Sequence, residues 1–190
     1  MNNLFIEDKT FTKDDFAKDA LAIGEYENCI FNDCNFSNTN LSNIKFTDCE
    51  FKNCNLSMAK TVNTSLRNVK FTECKLLGMH FDSCNKMLLS PHFYGCILNL
   101  SSFYKQSIKK TVFKNCSLHE VDFTEADISE LIFDNCDLSR AVFQHTVLEK
   151  TDFRTAYNYS INPELNRIKK ARFSAQGVIG LLDKYDIEIE

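Results

Sequence analysis

Large apolar residues recur every five positions along most of the chain. The first run of this series is Phe31, Phe36, Leu41, Phe46, Phe51, Leu56, Thr61, Leu66, Phe71, Leu76 and Phe81. After a slip of two residues the series resumes at Leu88 and continues in steps of five from Phe93 to Phe153. Side chains on one face recur about every 3.6 residues in a helix and every 2 in a flat strand. A period of five fits neither, so the pattern favours a repeat architecture.

A second inward position lies two residues before each large apolar residue. Small or β-branched side chains occupy most of these positions, and all nine cysteines are found there: Cys29, Cys34, Cys49, Cys54, Cys74, Cys84, Cys96, Cys116 and Cys136. Each five-residue unit is therefore predicted to bury one small and one large side chain and to expose three polar positions.

The segments "CNFSN", "CNLSM", "CDLSR", "TDFRT" and "VDFTE" carry a recognisable motif: a small residue, Asp or Asn, Leu or Phe, then two variable residues. The chain resembles the pentapeptide-repeat family over residues 24–157. The resemblance implies an all-β fold, a right-handed quadrilateral β-helix in which four units form one twenty-residue coil. Buried Phe and Leu side chains would stabilise it by roughly 1.5–3 kcal/mol each before entropy is subtracted.

Three segments follow from this pattern. Residues 1–23 are expected to form an irregular N-terminal coil or cap, because charged residues fill the small inward positions there. Residues 24–157 are expected to form the regular β-helix. A frame slip at residues 85–92 is expected to project a small loop that exposes Lys86, Met87, Ser90 and Pro91. Residues 158–190 are expected to hold a loop, a last repeat and a short C-terminal α-helix capped by Ser174.

The C-terminal segment has two possible roles. Its candidate residues are Phe173, Val178, Ile179, Leu181 and Leu182. They could cap the last coil only, since a solenoid exposes its core and strand edges at each end. They could also form a homodimer interface, which the resemblance implies for gyrase-protecting members.

The cysteines are expected to be reduced and structural. The N-terminus shows no signal-peptide pattern and no apolar run is long enough to span a membrane, which favours the cytoplasm. With coils of twenty residues, Cys34, Cys54 and Cys74 should stack, as should Cys96, Cys116 and Cys136. Stacked Cβ atoms about 4.8 Å apart exceed the roughly 3.8 Å of a disulfide, and no zinc ligand set is visible. The alternative, a redox role, predicts reactive thiols in the folded protein.

No catalytic or cofactor site is predicted. All four histidines, His80, His92, His119 and His145, occupy outward positions without an evident nucleophile. The chain has neither a glycine-rich phosphate loop nor an HExxH segment. We therefore expect a binding protein that is not an enzyme and uses no cofactor or metal.

An acidic stretch is the candidate binding surface. The chain has a net charge of −4, which gives no reason to expect direct nucleic-acid binding. Seven acidic residues lie between Thr111 and Asp137: Glu120, Asp122, Glu125, Asp127, Glu130, Asp134 and Asp137. They could imitate DNA, which carries about one negative charge per 1.7 Å of its helix axis. They could instead be a solvated surface with intercoil ion pairs, since the twenty-residue rule stacks Glu120 with Arg140, Glu125 with Lys105, and Asp134 with Lys114 and Arg154. That rule leaves Asp122, Asp127 and Asp137 without partners.

Two functions remain open. The resemblance to Qnr-type and mycobacterial family members implies a DNA mimic that binds type II topoisomerase, DNA gyrase or topoisomerase IV, and protects it from quinolones or gyrase-directed toxins. The tail "NYSINP…RIKKARFS…GLLD" is similar to tails of members linked to toxin immunity. Qnr-type proteins also carry two projecting loops, whereas this chain has only the two-residue slip. The alternative is a scaffolding protein that binds another protein partner.

Overall fold

The computed structural model describes residues 4–109 and 111–188, without the side chain of Leu88. The chain winds into a parallel β-solenoid, which confirms the predicted quadrilateral β-helix. Its strands are β1 Leu4–Glu7, β2 Thr10–Thr12, β3 Gly24–Glu27, β4 Ile30–Asn32, β5 Lys45–Thr47, β6 Glu50–Lys52, β7 Ser65–Arg67, β8 Lys70–Thr72, β9 His92–Tyr94, β10 Val112–Lys114 and β11 Phe133–Asp134.

Two of the four faces carry extended sheets. Strands β1, β3, β5 and β7 form the sheet of face 1, and β2, β4, β6, β8, β9, β10 and β11 form that of face 2, all parallel. Residues twenty apart are paired in each regular coil, for example Phe31 with Phe51. Faces 3 and 4 are held by single bridges, such as Asn35 with Asn55 on face 3 and Ser102 with Asp122 on face 4.

The predicted inward column of face 2 is built from phenylalanine. Its rings stack one above the next from Phe11 to Phe173, with centroids 4.6 Å apart at the closest step, Phe31 to Phe51, and 5.4 Å at Phe71 to Phe93. Rings on adjacent faces meet edge to face, as Phe103 and Phe113 do at 5.7 Å. Both geometries are favourable for aromatic rings.

Cysteine and threonine make equivalent hydrogen bonds at the small inward position. The Cys54 thiol donates to the Phe31 carbonyl at 3.2 Å, and the Thr64 hydroxyl donates to the Leu41 carbonyl at 2.8 Å. Cys54 and Thr64 thus satisfy their own donors inside the core, whereas the buried hydroxyls of Ser101 and Thr111 at the same repeat position have no hydrogen-bond partner among the residues that the structure describes.

Most corners of the coil are residues with left-handed backbone, two positions after the large inward residue. Asp33, Asn38, Asn43 and Asp48 have φ values of 53°, 58°, 64° and 53°. Asn and Asp tolerate this region better than other non-glycine residues, which explains why they fill most corners of the first half.

The frame slip enters the structure differently from the prediction. The backbone follows the ladder to Asn85, whose N–H donates to the Thr64 carbonyl at 2.9 Å, and rejoins at Ser90, whose N–H donates to the Leu66 carbonyl at 3.0 Å. Between them lies a short 3₁₀ turn, Lys86–Leu88. The residue that pairs with Leu66 is Leu89 and not Leu88.

The predicted C-terminal α-helix is replaced by two short 3₁₀ segments, Gly177–Leu181 and Asp183–Tyr185. Ser174 does act at its start, since its hydroxyl accepts from the Gly177 N–H at 2.9 Å. The segment lies tight against the last coil: a Cβ on Gly180 would come within 2.1 Å of the Tyr159 carbonyl oxygen. The Gly180 carbonyl accepts instead from the Ile161 N–H, so the backbone follows the shape of the coil end.

Candidate partner-binding surfaces

The seven acidic candidates do not share one face. Glu120, Glu125 and Glu130 occupy three successive corners, with φ values of 57°, 56° and 66°. Asp122 lies on face 4 and Asp127 on face 1, next to the inward Phe123 and Ile128 that define those positions. Asp134 lies on face 2 in β11, and Asp137 on face 3. The acidic stretch of the sequence is therefore wound around the rod.

Most of these carboxylates are paired with cations from neighbouring coils, as the twenty-residue rule predicted. Lys114 lies 3.0 Å from Asp134, Arg140 3.3 Å from Glu120, and Lys105 3.4 Å from Glu125. Lys150 pairs with Glu130 in the same way, and this pairing lowers the pKa of the Glu130 carboxyl. Exposed pairs of this kind contribute about 0–1 kcal/mol each, but they reduce the negative potential of the surface.

The expectation that Asp127 has no partner is wrong. Lys109 lies 2.8 Å from it, on the coil below and two residues along from the vertical neighbour Ser107. Burial by itself would raise the pKa of Asp127, but hydrogen bonds from Lys109 and Ser129 outweigh it and lower the pKa. Arg154 likewise does not join Asp134 but binds Asp152 within its own rung, at 2.7 Å. The twenty-residue rule pairs only residues directly above one another. It does not predict pairs between neighbouring positions of adjacent coils or within one coil, which long side chains can form.

Asp122 and Asp137 have no Lys or Arg ion-pair partner in the described part of the chain. The Asp122 carboxylate accepts from the Thr124 N–H at 2.8 Å. Asp137 accepts from the Ser139 hydroxyl at 2.6 Å and from the Asn158 amide at 3.0 Å. Burial opposes ionisation of Asp137, yet these hydrogen bonds lower its pKa. Both carboxylates are half-buried and held in position by these hydrogen bonds, and no described Lys or Arg neutralises them.

The loop at the frame slip is partly as predicted. Lys86 and Met87 are exposed, Met87 to 92%, and the Asn85 side chain accepts from the Met87 N–H at 3.2 Å. Ser90 is half-buried, with its hydroxyl accepting from the Asn68 N–H at 2.8 Å. The expectation that Pro91 is exposed is wrong, since it is buried. It fills the small inward position two residues before Phe93.

The C-terminal candidates divide between an inward and an outward group. Phe173 stacks on Phe153 at 5.3 Å, and both Phe173 and Leu181 pack against the core cluster. Leu182 is half-buried. Val178 and Ile179 point outward, 42% and 48% exposed. The segment therefore covers the last coil and also presents apolar side chains on its outer side.

The six cysteines of face 3 form one column, not the two separate ladders expected. The backbone N–H of Ile97 donates to the Cys74 carbonyl at 3.0 Å, just as Asn55 donates to Cys34. The column thus continues across the frame slip, with Cys34, Cys54, Cys74, Cys96, Cys116 and Cys136 in register. All nine cysteines are buried free thiols. Burial raises the pKa of Cys84 to about 12 and that of Cys34 to about 11, which disfavours the reactive thiolate.

One surface was missed by the sequence reasoning, an apolar patch formed by Met58, Leu77, Ile97 and Leu100. These side chains are 55%, 38%, 41% and 54% exposed, on three successive rungs of face 3 and its corner. The Met58 N–H donates to the Leu77 carbonyl, which joins the first two rungs. The available signal was the presence of large apolar residues at outward positions, where the repeat otherwise places polar ones.

Among the described residues, no group of His, Cys, Asp or Glu is arranged to hold a metal ion. Within the same residues, no helix is both long enough and apolar enough to cross a membrane.

The pentapeptide repeat region model matches residues 25–88 and 86–157, so the chain belongs to the pentapeptide-repeat family. A trypsin-treated variant of QnrB1, described as a plasmid-mediated fluoroquinolone resistance protein, is similar in structure with a TM-score of 0.53 and 16% identity, covering 99% of this chain and 98% of that one. HetL from Nostoc sp. strain PCC 7120, described as involved in heterocyst differentiation regulation, matches with a TM-score of 0.46 and 15% identity over 90% and 85% of the chains. No curated protein sequence matches.

Proposed function

We propose that this pentapeptide-repeat protein is a non-catalytic binding protein that imitates DNA and occupies the DNA-binding surface of a type II topoisomerase, DNA gyrase or topoisomerase IV. In that role it would protect the enzyme from quinolones or gyrase-directed toxins, in the cytoplasm. The observation that carries the proposal is the end-to-end likeness to QnrB1, which spans 99% of this chain and 98% of that one.

The physical basis is fixed negative charge on a rigid rod. Asp122 lies on face 4 and Asp137 on face 3, and each carboxylate is held by hydrogen bonds. A basic groove that normally holds DNA could therefore meet carboxylates at defined positions. Asp122 and Asp137 would make the first contacts, since they have no Lys or Arg ion-pair partner in the described chain. Glu120 and Glu125, on exposed corners, would exchange their present partners for cations of the topoisomerase.

Dimerisation through the C-terminal segment is part of the proposal. Val178 and Ile179 are exposed apolar side chains at the end of the solenoid. A two-fold contact there would bury them and join two rods end to end. The longer rod would cover more of a DNA-binding groove than one chain does.

A gyrase supercoiling assay tests the proposal. Purified protein is titrated into gyrase and into topoisomerase IV, with and without ciprofloxacin. We expect restored supercoiling under the drug, or inhibition in its absence. The double variant Asp122→Asn/Asp137→Asn should weaken either effect, because Asn keeps the hydrogen-bond acceptor that each carboxylate uses and removes only the charge.

The matched control is Asp8→Asn/Asp33→Asn, which removes the same charge from corner residues at the other end of the rod. These corners have φ values of 54° and 53°, which Asn adopts readily. The control should behave like the unaltered protein. Absence of any effect of the unaltered protein on either enzyme would refute the topoisomerase role.

A second candidate function is a scaffold for a different protein partner. The apolar patch of Met58, Leu77, Ile97 and Leu100 favours it, because an exposed apolar group rimmed by polar residues is typical of protein interaction sites. DNA imitation makes no use of these side chains. If Leu77→Lys abolished partner capture while Asp122→Asn/Asp137→Asn did not, the scaffold function would be preferred.

A further inference from the structure

The frame slip borders a cavity on face 1. Its volume is about 420 Å³. It is lined by Arg67 at the end of β7, by Lys109 beyond the displaced rung, and by Lys86 of the projecting loop. The cavity exists because the chain leaves the ladder at Asn85 and rejoins it only at Ser90, so the rung between Arg67 and Lys109 is displaced.

The cavity concentrates positive charge. Arg67, Lys86 and Lys109 all line it, and among the described residues none of its lining side chains is Asp or Glu. Cations elsewhere on the solenoid are mostly paired, as Lys45 is with Glu25 at 2.6 Å. Arg67 and Lys86 have no ion pair within the described chain, and only Lys109 has one, with Asp127 at 2.8 Å.

The hydroxyl groups of Ser90 and Ser107 complete the polar lining. Ser107 is exposed, and Ser90 is held in place by the hydrogen bond from the Asn68 N–H. Met87 and Leu89 form an apolar margin. The cavity therefore combines three cations, two hydroxyl donors and one apolar edge, within a volume typical of small-molecule sites.

We propose that this frame-slip cavity binds the phosphate chain of a small molecule, either an inorganic polyphosphate or the phosphates of a nucleotide. An arginine guanidinium matches phosphate oxygens with a bidentate pair of hydrogen bonds, and lysines add point charges. Three convergent cations suit a multiply charged chain better than a single carboxylate, which carries one charge. On binding, Lys109 would turn from Asp127 toward the ligand. This site goes beyond topoisomerase binding and does not depend on it.

Isothermal titration calorimetry with sodium tripolyphosphate at low salt tests the site in the full chain. We expect saturable binding, and a loss of affinity of at least roughly tenfold in Arg67→Gln/Lys86→Gln, since two charge-assisted contacts are removed. A parallel titration with ATP distinguishes the sources: tighter binding of ATP indicates a nucleotide whose base rests on Met87 and Leu89, and equal or weaker binding indicates polyphosphate.

The matched control is Arg167→Gln/Lys52→Gln, which removes the same two residue types from ion pairs outside the cavity. It should bind tripolyphosphate like the unaltered protein. Lys86→Glu alone, a change confined to the exposed loop, serves if the double variant does not fold, and it should also weaken binding. Failure of the unaltered protein to bind tripolyphosphate, or equal losses in the control, would overturn the assignment.

Discussion

Replacing one ring in the middle of the face 2 column should destabilise the protein far more than replacing one at its end. Phe113 is fully buried, stacked between Phe93 at 5.1 Å and Phe133 at 5.4 Å, with an edge contact to Phe103 at 5.7 Å. Phe11 is only partly buried and has stacking on one side alone, from Phe31 at 4.8 Å. The two residues occupy the same repeat position, so the comparison isolates the effect of neighbours.

The expected cost of Phe113→Ala is about 3–5 kcal/mol in the free energy of unfolding, since a large core side chain is lost and a cavity remains. Each stacked or edge contact accounts for roughly 0.5–1.5 kcal/mol of that cost. Phe11→Ala loses one stacking partner instead of two and part of the burial, so we expect about half as much. Phe113→Leu should cost less than Phe113→Ala, because Leu refills much of the volume, but it still loses the stacked and edge contacts of the ring.

Urea unfolding followed by far-ultraviolet circular dichroism is the suitable measurement, since the chain contains no tryptophan. Solenoid stability is approximately a sum of coil terms and nearest-neighbour contacts, and the ranking above follows from that sum. If Phe11→Ala costs as much as Phe113→Ala, the nearest-neighbour account of this column is wrong.

Three other predictions follow from the structure. The pKa of Asp152 is lowered chiefly by hydrogen bonding to Arg154, so the ionised carboxylate stabilises the fold above the unfolded-state pKa near 3.8. This stabilisation is lost as the pH falls through the lower pKa of the folded state. Asp152→Asn should cost roughly 1–3 kcal/mol in the free energy of unfolding at neutral pH and should flatten the acid side of a curve of stability against pH; an unchanged acid side would contradict this. The nine buried thiols should resist a thiol reagent in the native protein and all react in denaturant, and rapid native labelling would restore the redox alternative. Ile179→Asp should convert the proposed dimer to a monomer in light scattering after gel filtration while leaving the circular dichroism spectrum of the folded chain unchanged, and an unaltered mass would exclude this interface.

The repeat made much of the fold predictable. Phe31, Phe51 and Phe71 lie in one column because every coil uses the same number of residues, so position along the chain becomes position on a face. The same rule predicted the pairs Glu120 with Arg140, Glu125 with Lys105, and Asp134 with Lys114. It also predicted that the cysteines are inward, because each lies two residues before a large apolar residue, and all nine are buried.

The rule failed where the period changes or where side chains are long. Lys109 reaches Asp127 diagonally, which depends on rotamers that no spacing encodes. Two inserted residues can leave a ladder at several points, and only packing decided that Leu89 rejoins it and that Pro91 is buried. The choice of 3₁₀ geometry after Ser174 likewise depends on the close approach of Gly180 to Tyr159.

The sequence by itself therefore determined the solenoid, its inward columns and its vertical ion pairs, because these follow from a constant number of residues per coil. The tertiary structure alone decided the single column of six thiols, the diagonal pair of Lys109 with Asp127, and the basic cavity at the frame slip. These features join residues whose sequence separation departs from the period, so their placement depends on how displaced backbone and long side chains pack in three dimensions.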